Sequence, residues 1–171
     1  MTAVNGAAGV RIPAGSGTRR HLRIASDVLA LVIGGTAMLH ATHARAARSA
    51  AWPQIHDKAL AMLGTEYVFG RNDDEAVDCS ALMQQVFASA GIRLPRTVHE
   101  LLHTGVPVSH AHVRAGDLLI YRWQPHQLHV ALALDDRHIV HASPSAGEVV
   151  VTPIDVAWQR RLIAVRRVLK S

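Results

Sequence analysis

The chain of 171 residues is long enough for one ordinary domain, and its composition excludes several classes of protein. Hydrophobic residues make up 49% of the chain and charged residues 18%, which excludes a chain disordered throughout. The single cysteine, Cys79, excludes a disulfide framework and any zinc or iron–sulfur site built from several cysteines. The net charge of +5 is concentrated in residues 1–46, which hold five arginines and one aspartate. The rest of the chain, with 13 basic and 12 acidic residues, is nearly neutral, so a nucleic-acid partner is not expected.

Residues 1–46 have the pattern of an export signal. Arg19, Arg20 and Arg23 precede the apolar run VLALVIGGTAML at residues 28–39, and an Ala-Arg-Ala sequence at residues 44–46 fits a signal-peptidase site. The apolar run is too short to span a bilayer as a stable helix. We therefore expect cleavage near Ala47, no membrane insertion afterwards, and a periplasmic or secreted domain over residues 47–171. The paired arginines before the run leave the twin-arginine export route open.

Three helices are predicted in the first half of this domain. The first begins near Trp52 and ends before Gly64. The second begins after the N-cap Asp78, carries one apolar stripe, and is ended by Gly91. The third begins at Thr97, where a T-x-x-E sequence forms a capping box.

Beyond Gly116 the pattern changes to strands separated by turn residues. The strand segments are DLLIYRW, HVALAL, HIVHAS, EVVVTPI and LIAVRRVL. Helices followed by strands predict an α+β domain with N-terminal helices packed on an antiparallel sheet. A domain of about 125 residues can bury a single core without a partner, so we expect a monomer.

Cys79 is the centre of the predicted chemistry. It lies in the first turn of the second helix, directly after Asp78, where the helix dipole favours the thiolate. The free backbone N–H groups of that turn can receive a developing oxyanion. The alternative interpretation is a small buried cysteine without a chemical role.

Cysteine catalysis needs a base, and two of the 12 histidines suit that role. His129 and His141 lie on consecutive predicted strands around a turn at Asp135. A hairpin symmetric about Asp135 makes the two imidazoles direct cross-strand neighbours on one face. A register slip of one residue would place them on opposite faces, as two unrelated sheet histidines.

The blocks VDCSALMQQVFASAGIRLPRT, RAGDLLIYR, LHVALAL and IVHAS, in this order, resemble the NlpC family of papain-like cell-wall peptidases. The likeness is greatest to the family's Gram-negative murein endopeptidases, and it covers residues 55–169. It implies a papain-like fold and hydrolysis of amide bonds in peptidoglycan stem peptides or cross-links, without a cofactor or a metal.

The resemblance also implies roles for residues around the reacting bond. Cys79 is implied to be the nucleophile and His129 the base, with His141 orienting the base. The residues implied to contact the substrate or its carbonyl oxygen are Tyr67, Asp78 and Ser80.

Three positions depart from the family pattern. Ala81 and Ala131 replace glycines, and Arg71 replaces the second of two glycines. We expect a methyl group to be tolerated in a helix and in a strand. Arg71 is the larger departure, because its side chain is long enough to crowd the groove or to change which substrate enters.

The strongest rival is His99-Glu100-Leu101-Leu102-His103, which matches the H-E-x-x-H signature of zinc proteases. Against it, the predicted helix is short, Glu100 is used in the capping box, and the extended form of the signature is absent. Another secreted amidase or acyltransferase of the same fold remains open, and so does a binding module without activity. The bond cut also remains open between the D,D cross-link and the bond from D-glutamate to the diamino acid.

Overall fold

The computed structural model describes residues 51–169. The export signal predicted for residues 1–46 and its cleavage site lie outside these residues, so they remain predictions. Helix α1 occupies residues 51–61, within the stretch where the sequence predicts the first helix. No helix in residues 51–169 has the length and apolar character needed to cross a membrane.

Helix α2 (Cys79–Ala88) begins where the sequence predicts. The Asp78 carboxylate caps it by accepting a hydrogen bond from the N–H of Ala81 at 2.8 Å. The helix ends two residues earlier than expected. Gly91 follows with a φ of 73°, a left-handed conformation that costs glycine little because it has no Cβ.

Two shorter helices follow. Helix α3 (Val98–Leu101) has the predicted capping box between Thr97 and Glu100. Helix α4 (Val156–Arg161) is not predicted by the sequence pattern, although the Asp155 side chain caps it in the same way as Asp78 caps α2.

Within residues 51–169, eight strands form one sheet. The strands are β1 (Glu66–Tyr67), β2 (Ala76–Val77), β3 (Val106–Val108), β4 (Asp117–Gln124), β5 (Gln127–Ala133), β6 (His138–Ser143), β7 (Glu148–Pro153) and β8 (Leu162–Arg167). Their order across the sheet is β2-β1-β7-β6-β5-β4-β8-β3. Neighbouring strands are antiparallel, except that β1 and β2 are parallel. The five predicted strands correspond to β4–β8, and β1–β3 are too short to show an alternating pattern.

The sheet separates two buried clusters. The larger cluster lies between the sheet and the N-terminal helices, and its members include Ile55, Leu82, Phe87, Leu118, Val130 and Val140. The smaller cluster lies on the other face, where Trp158 of α4 packs on side chains that include Leu119, Tyr121, Ala131 and Ile139. The predicted α+β architecture is therefore confirmed, with one additional helix covering the second face.

The β5–β6 hairpin corrects the predicted register. Leu132 pairs with Val140, so the hairpin is centred one residue later than Asp135. The reason is local: the Asp135 carboxylate accepts hydrogen bonds from the N–H groups two and three residues ahead, which makes Asp135 the start of the turn rather than its midpoint. The prediction that His129 and His141 are direct neighbours is wrong. The shift changes the cross-strand partner of each residue by two positions, and side chains two positions apart on a strand lie on the same face. His129 and His141 therefore still share one face, as diagonal neighbours.

Candidate active site

A cavity of about 420 Å³ lies between the first turn of α2 and the beginning of β5. Cys79 lines it from the helix and His129 from the strand. The other predicted site residues that line this cavity are Tyr67, Asp78 and Ser80. His141 joins the group through a contact with His129, so the fold brings together every residue that the resemblance implicates.

The Cys79 thiol is partly buried. Burial raises the pKa of Cys79, and the negative charge of Asp78 acts in the same direction. Backbone N–H groups of Val130, Ser80 and Cys79 itself lower this pKa but do not outweigh burial. The pKa of Cys79 is therefore raised overall, whereas the helix dipole alone would lower it. Cys79 therefore holds its proton near neutral pH, and a base has to remove it.

The two histidines form a hydrogen-bonded chain with a threonine. Nε2 of His129 lies 3.0 Å from Nδ1 of His141, and Nε2 of His141 lies 3.1 Å from Oγ1 of Thr152. Since Nε2 of His129 is engaged with His141, Nδ1 is the ring nitrogen left to receive a proton.

Both imidazoles are neutral near neutral pH. Burial lowers the pKa of His129 to about 3, with a further contribution from His141. Burial also lowers the pKa of His141 to about 4. Trp158 contributes to this burial, because its ring centroid lies 4.9 Å from that of His141 and 6.2 Å from that of His129. The two imidazoles are thus kept unprotonated by burial beside aromatic side chains rather than by a charged partner.

Tyr67 lies close enough to Cys79 to respond to its charge. Burial raises the pKa of the Tyr67 hydroxyl, and the charges of Cys79 and Asp78 add to this effect. The hydroxyl is therefore protonated and able to donate a hydrogen bond into the cavity.

Arg96 is one of two residues at the site that the sequence does not indicate. Its Nη2 lies 2.6 Å from Oδ2 of Asp78 and its Nη1 lies 2.9 Å from Oδ1, which is a bidentate ion pair. Nη1 also donates to the Ser80 hydroxyl at 2.8 Å, and Ser80 donates to Asp78. The N–H of Gly70 donates to Oδ2 of Asp78 as well.

These contacts decide the charge of the nearly inaccessible Asp78. Burial alone would raise the pKa of Asp78, but the hydrogen bonds and the positive charge of Arg96 hold this pKa below its usual value. Asp78 is thus a carboxylate that already accepts hydrogen bonds on both oxygens. Its observed contacts hold the start of α2 in place beside the cavity.

No sequence signal singles out Arg96 or Thr152. A buried aspartate needs a basic partner, but Arg93 and Arg96 occur in the same loop and the spacing does not choose between them. Thr152 lies in a correctly predicted strand, and only the β6–β7 register, in which Val150 pairs with His141, brings it next to the histidines.

The three departures from the family pattern have little effect on the cavity. The Arg71 side chain is exposed and turns to Asp73, with Nε 2.6 Å from Oδ2, and it does not line the cavity. Ala81 and Ala131 are fully buried, where their methyl groups take part in the core.

The rival zinc signature is not arranged as a metal site. Helix α3 ends at Leu101, so His103 lies beyond it, and the two imidazole centroids are 5.9 Å apart. The Glu100 carboxylate accepts hydrogen bonds from the Thr97 N–H and hydroxyl. Among residues 51–169, no group of three or more histidine, cysteine, aspartate or glutamate side chains is placed to hold a metal ion.

Comparison with known proteins decides the family, because residues 64–167 match the sequence model of the NlpC/P60 family. The chain belongs to the NlpC/P60 family. It is 32% identical over 117 residues to the Murein DD-endopeptidase MepS/Murein LD-carboxypeptidase of Escherichia coli K12, which covers 68% of this chain and 62% of that protein. This chain thus spans about three fifths of the length of that curated relative.

Solved structures of NlpC/P60 proteins have the same fold. The peptidoglycan hydrolase RipB of Mycobacterium tuberculosis superposes with a TM-score of 0.64 at 28% identity, covering 74% of this chain and 69% of RipB. An NLP/P60 family protein of Staphylococcus aureus, described as similar to a lipoprotein, superposes with a TM-score of 0.63 at 30% identity, covering 71% of this chain and 42% of that chain. The predicted family and the predicted papain-like α+β fold are both confirmed.

Proposed function

We propose that this chain is a peptidoglycan endopeptidase that hydrolyses amide bonds of murein stem peptides or cross-links by thiol catalysis. Cys79 is the nucleophile, His129 the base and His141 the residue that orients the base. One observation carries the proposal: a helix-terminal thiol and a neutral imidazole line the same cavity, and the far nitrogen of that imidazole is held by His141. The names of MepS as a murein endopeptidase and of RipB as a peptidoglycan hydrolase support the substrate class.

The first half of the reaction forms a thioester. Nδ1 of His129 takes the thiol proton of Cys79, and the sulfur attacks the carbonyl carbon of the amide. When the tetrahedral intermediate collapses, the carbon–nitrogen bond breaks and His129 returns the proton to the leaving amine. Because both imidazoles are neutral beforehand, Nδ1 of His129 is not already occupied by a proton when the thiol proton is transferred.

The negative oxygen of the tetrahedral intermediate needs donors that are already in place. The backbone N–H groups at the first turn of α2 supply one set of donors, since they lie beside the thiol. The protonated Tyr67 hydroxyl supplies another, which matches the carbonyl-binding role implied for Tyr67. Such preorganised donors stabilise the developing charge without reorganisation during the reaction.

The second half of the reaction hydrolyses the thioester. His129 takes a proton from water, the resulting hydroxide adds to the thioester carbon, and the carbon–sulfur bond breaks. The sulfur leaves as a thiolate and regains its proton from His129 as the acid product is released. Asp78 and Ser80 are proposed to hold the substrate from the wall of the cavity that they share with Cys79.

We also propose that the enzyme acts as a monomer in the periplasm or at the cell wall, after removal of residues 1–46. The arginines, apolar run and small residues of that segment support export. Sequencing the N-terminus of the exported protein tests this point: a start near Ala47 is expected, and an intact Met1 contradicts the export signal.

The decisive experiment is digestion of purified peptidoglycan with the parent protein and with Cys79→Ala, followed by mass spectrometry of the muropeptides. The parent protein is expected to release new fragments, and the variant is expected to release none while keeping the same circular dichroism spectrum. An active Cys79→Ala protein would exclude thiol catalysis.

Two inhibitors separate this mechanism from the zinc alternative. Iodoacetamide is expected to inactivate the enzyme by alkylating Cys79, and EDTA is expected to have no effect. Inactivation by EDTA but not by iodoacetamide would instead indicate zinc catalysis by His99, Glu100 and His103. The fragment masses identify the cleaved bond, and products coupled to an added amine would indicate acyl transfer rather than hydrolysis.

A further inference from the structure

We propose that Thr152 is a positioning residue that acts through His141 to keep Nδ1 of His129 unprotonated. This proposal rests on the proposed function, in which His129 is the base. Neither the sequence pattern nor the family likeness described above assigns a role to Thr152.

The position of Thr152 follows from the sheet. In the β6–β7 pairing, His141 lies opposite Val150 and Thr152 lies opposite Ile139, so Thr152 is a diagonal neighbour of His141 on the same face. Its Oγ1 lies 3.1 Å from Nε2 of His141. The hydroxyl borders a second cavity, of about 460 Å³, which is also lined by both histidines.

The hydrogen bonds from His129 through His141 to Thr152 allow two arrangements of the ring protons, called the first and the second order below. Each neutral imidazole carries one ring N–H, and the two rings share a single hydrogen bond. In the first order, His141 donates from Nε2 to Thr152, His129 donates from Nε2 to His141, and Nδ1 of His129 has a free lone pair. In the second order, Thr152 donates to His141, His141 donates from Nδ1 to His129, and Nδ1 of His129 carries a proton.

Only the first order leaves a free lone pair on Nδ1 of His129, the nitrogen proposed to take the proton of Cys79. It requires an acceptor at Nε2 of His141, and the Thr152 hydroxyl is the partner found there. With this bond made, the hydrogen of the hydroxyl itself is free to point into the second cavity. A valine at this position has nearly the same shape but cannot accept a hydrogen bond, so in the first order it would leave the Nε2–H of His141 without a partner and disfavour that order.

Three variants test this role by steady-state kinetics on one defined muropeptide. Thr152→Val is expected to lower kcat about fivefold, the factor that one neutral hydrogen bond contributes, with little change in KM. Thr152→Ser keeps the hydroxyl and is expected to restore most of kcat. Val151→Thr, on the exposed opposite face of the same strand, is the matched control and should leave kcat and KM unchanged. An unchanged kcat in Thr152→Val, or an equal loss in Thr152→Ser, would overturn the proposal.

A spectroscopic measurement tests the proton order without any hydrolysis. Nitrogen-15 NMR of the ring nitrogens in Cys79→Ala protein is expected to show both His129 and His141 protonated on Nε2. Adding Thr152→Val is expected to raise the fraction of His141 protonated on Nδ1. A His141 protonated on Nδ1 in the protein that retains Thr152 would refute the proposal, even if Thr152→Val fails to fold. Because this measurement needs no substrate, a parent protein inactive on peptidoglycan would refute the proposed function and leave this test readable.

Discussion

The hydrogen-bond network at the start of α2 is charged, whereas the histidine chain on the sheet is neutral. Asp78 keeps its negative charge because Arg96 pairs with it and backbone N–H groups donate to it. His129 and His141 have no charged partner of this kind and are neutral because they are buried beside Trp158. The two networks meet at one cavity, the first beside Cys79, the proposed nucleophile, and the second containing His129, the proposed base.

The difference shows two ways to place a polar group inside a protein. A buried carboxylate remains ionised only when donors and a cation compensate for the loss of water. A buried imidazole can lose its proton instead, and it then needs only neutral hydrogen bonds. Changes at Arg96, to which the proposed mechanism gives no contact with the substrate, should therefore act mainly on stability, and changes at the histidines mainly on catalysis.

The largest expected effect is on catalysis by the histidine chain. His129→Ala should lower kcat/KM by at least about 10²–10⁴-fold, because it removes the proton shuttle from both halves of the reaction. His141→Ala should lower it less, and His141→Asn least, because asparagine keeps a hydrogen-bonding group beside His129. The measurement is kcat/KM on one defined muropeptide, with circular dichroism as a folding control. A more active His129→Ala than His141→Ala would mean that the two roles are reversed.

The next effect concerns the charged network. Arg96→Ala should lower the free energy of unfolding by about 1–3 kcal/mol, because the Asp78 carboxylate loses its charged donors. Part of this loss should be recovered in the double variant with Asp78→Asn, since asparagine still caps α2 and carries no charge to compensate. Urea unfolding measures both effects, and Arg93→Ala, an exposed arginine of the same loop, is the matched control. Equal stability of the Arg93 and Arg96 variants would show that the ion pair contributes nothing net.

The two networks should also differ in the pH range over which they affect stability. The unfolded histidines titrate near a pKa of 6.5, while burial lowers the folded pKa of His129 to about 3 and that of His141 to about 4. Between these values the unfolded chain binds more protons, so the free energy of unfolding falls as the pH drops from about 6.5 towards about 4. The contribution of Asp78, whose pKa is lowered, is lost at more acidic pH, below its unfolded value of 3.8.

Urea unfolding across this pH range checks the expectation. His141→Asn should show a shallower loss of stability between about pH 6.5 and about 4 than the parent protein. His110→Asn, which changes an exposed histidine, should follow the parent curve. If His141→Asn loses stability as steeply as the parent protein over this pH range, the neutral, buried state of the histidine chain is contradicted.

The smallest effect is expected at Arg71, which lies next to the charged network. Its side chain makes no hydrogen bond to Asp78, Ser80 or Arg96. Arg71→Ala should keep kcat/KM within about twofold of the parent value, because the exposed Arg71 side chain contacts Asp73 rather than the cavity. The same muropeptide assay measures it. A clear rise or fall in KM would show that this side chain reaches the substrate.

Local interactions explain which expectations succeeded. The cap at Asp78 and the capping box at Thr97 involve residues three apart, so their pattern is visible in the sequence. Strands β4–β8 were found because buried and exposed positions alternate or form apolar runs. Helix α4 was missed because its six residues follow directly on a strand and show only one buried side chain, Trp158.

Expectations that depended on distances between strands were less successful. The hairpin prediction placed His129 directly opposite His141, whereas the observed turn makes them diagonal neighbours. Their contact was nevertheless predicted, because a shift of two positions preserves the face on which a side chain lies. The helix position of Cys79 suggested a lowered thiol pKa, but burial raises it, and burial is not encoded in one helix turn.

The sequence alone was sufficient to indicate the family, the α+β order of elements and the three residues proposed for catalysis, because these depend on short motifs and on local periodicity. The tertiary structure decided that Arg96 is the partner of Asp78 and that Thr152 extends the histidine chain. It also decided that the thiol and both imidazoles are neutral before the substrate binds. The physical reason is that ion pairing, strand register and desolvation are set by groups far apart in the chain, which come together only when the sheet and helices pack.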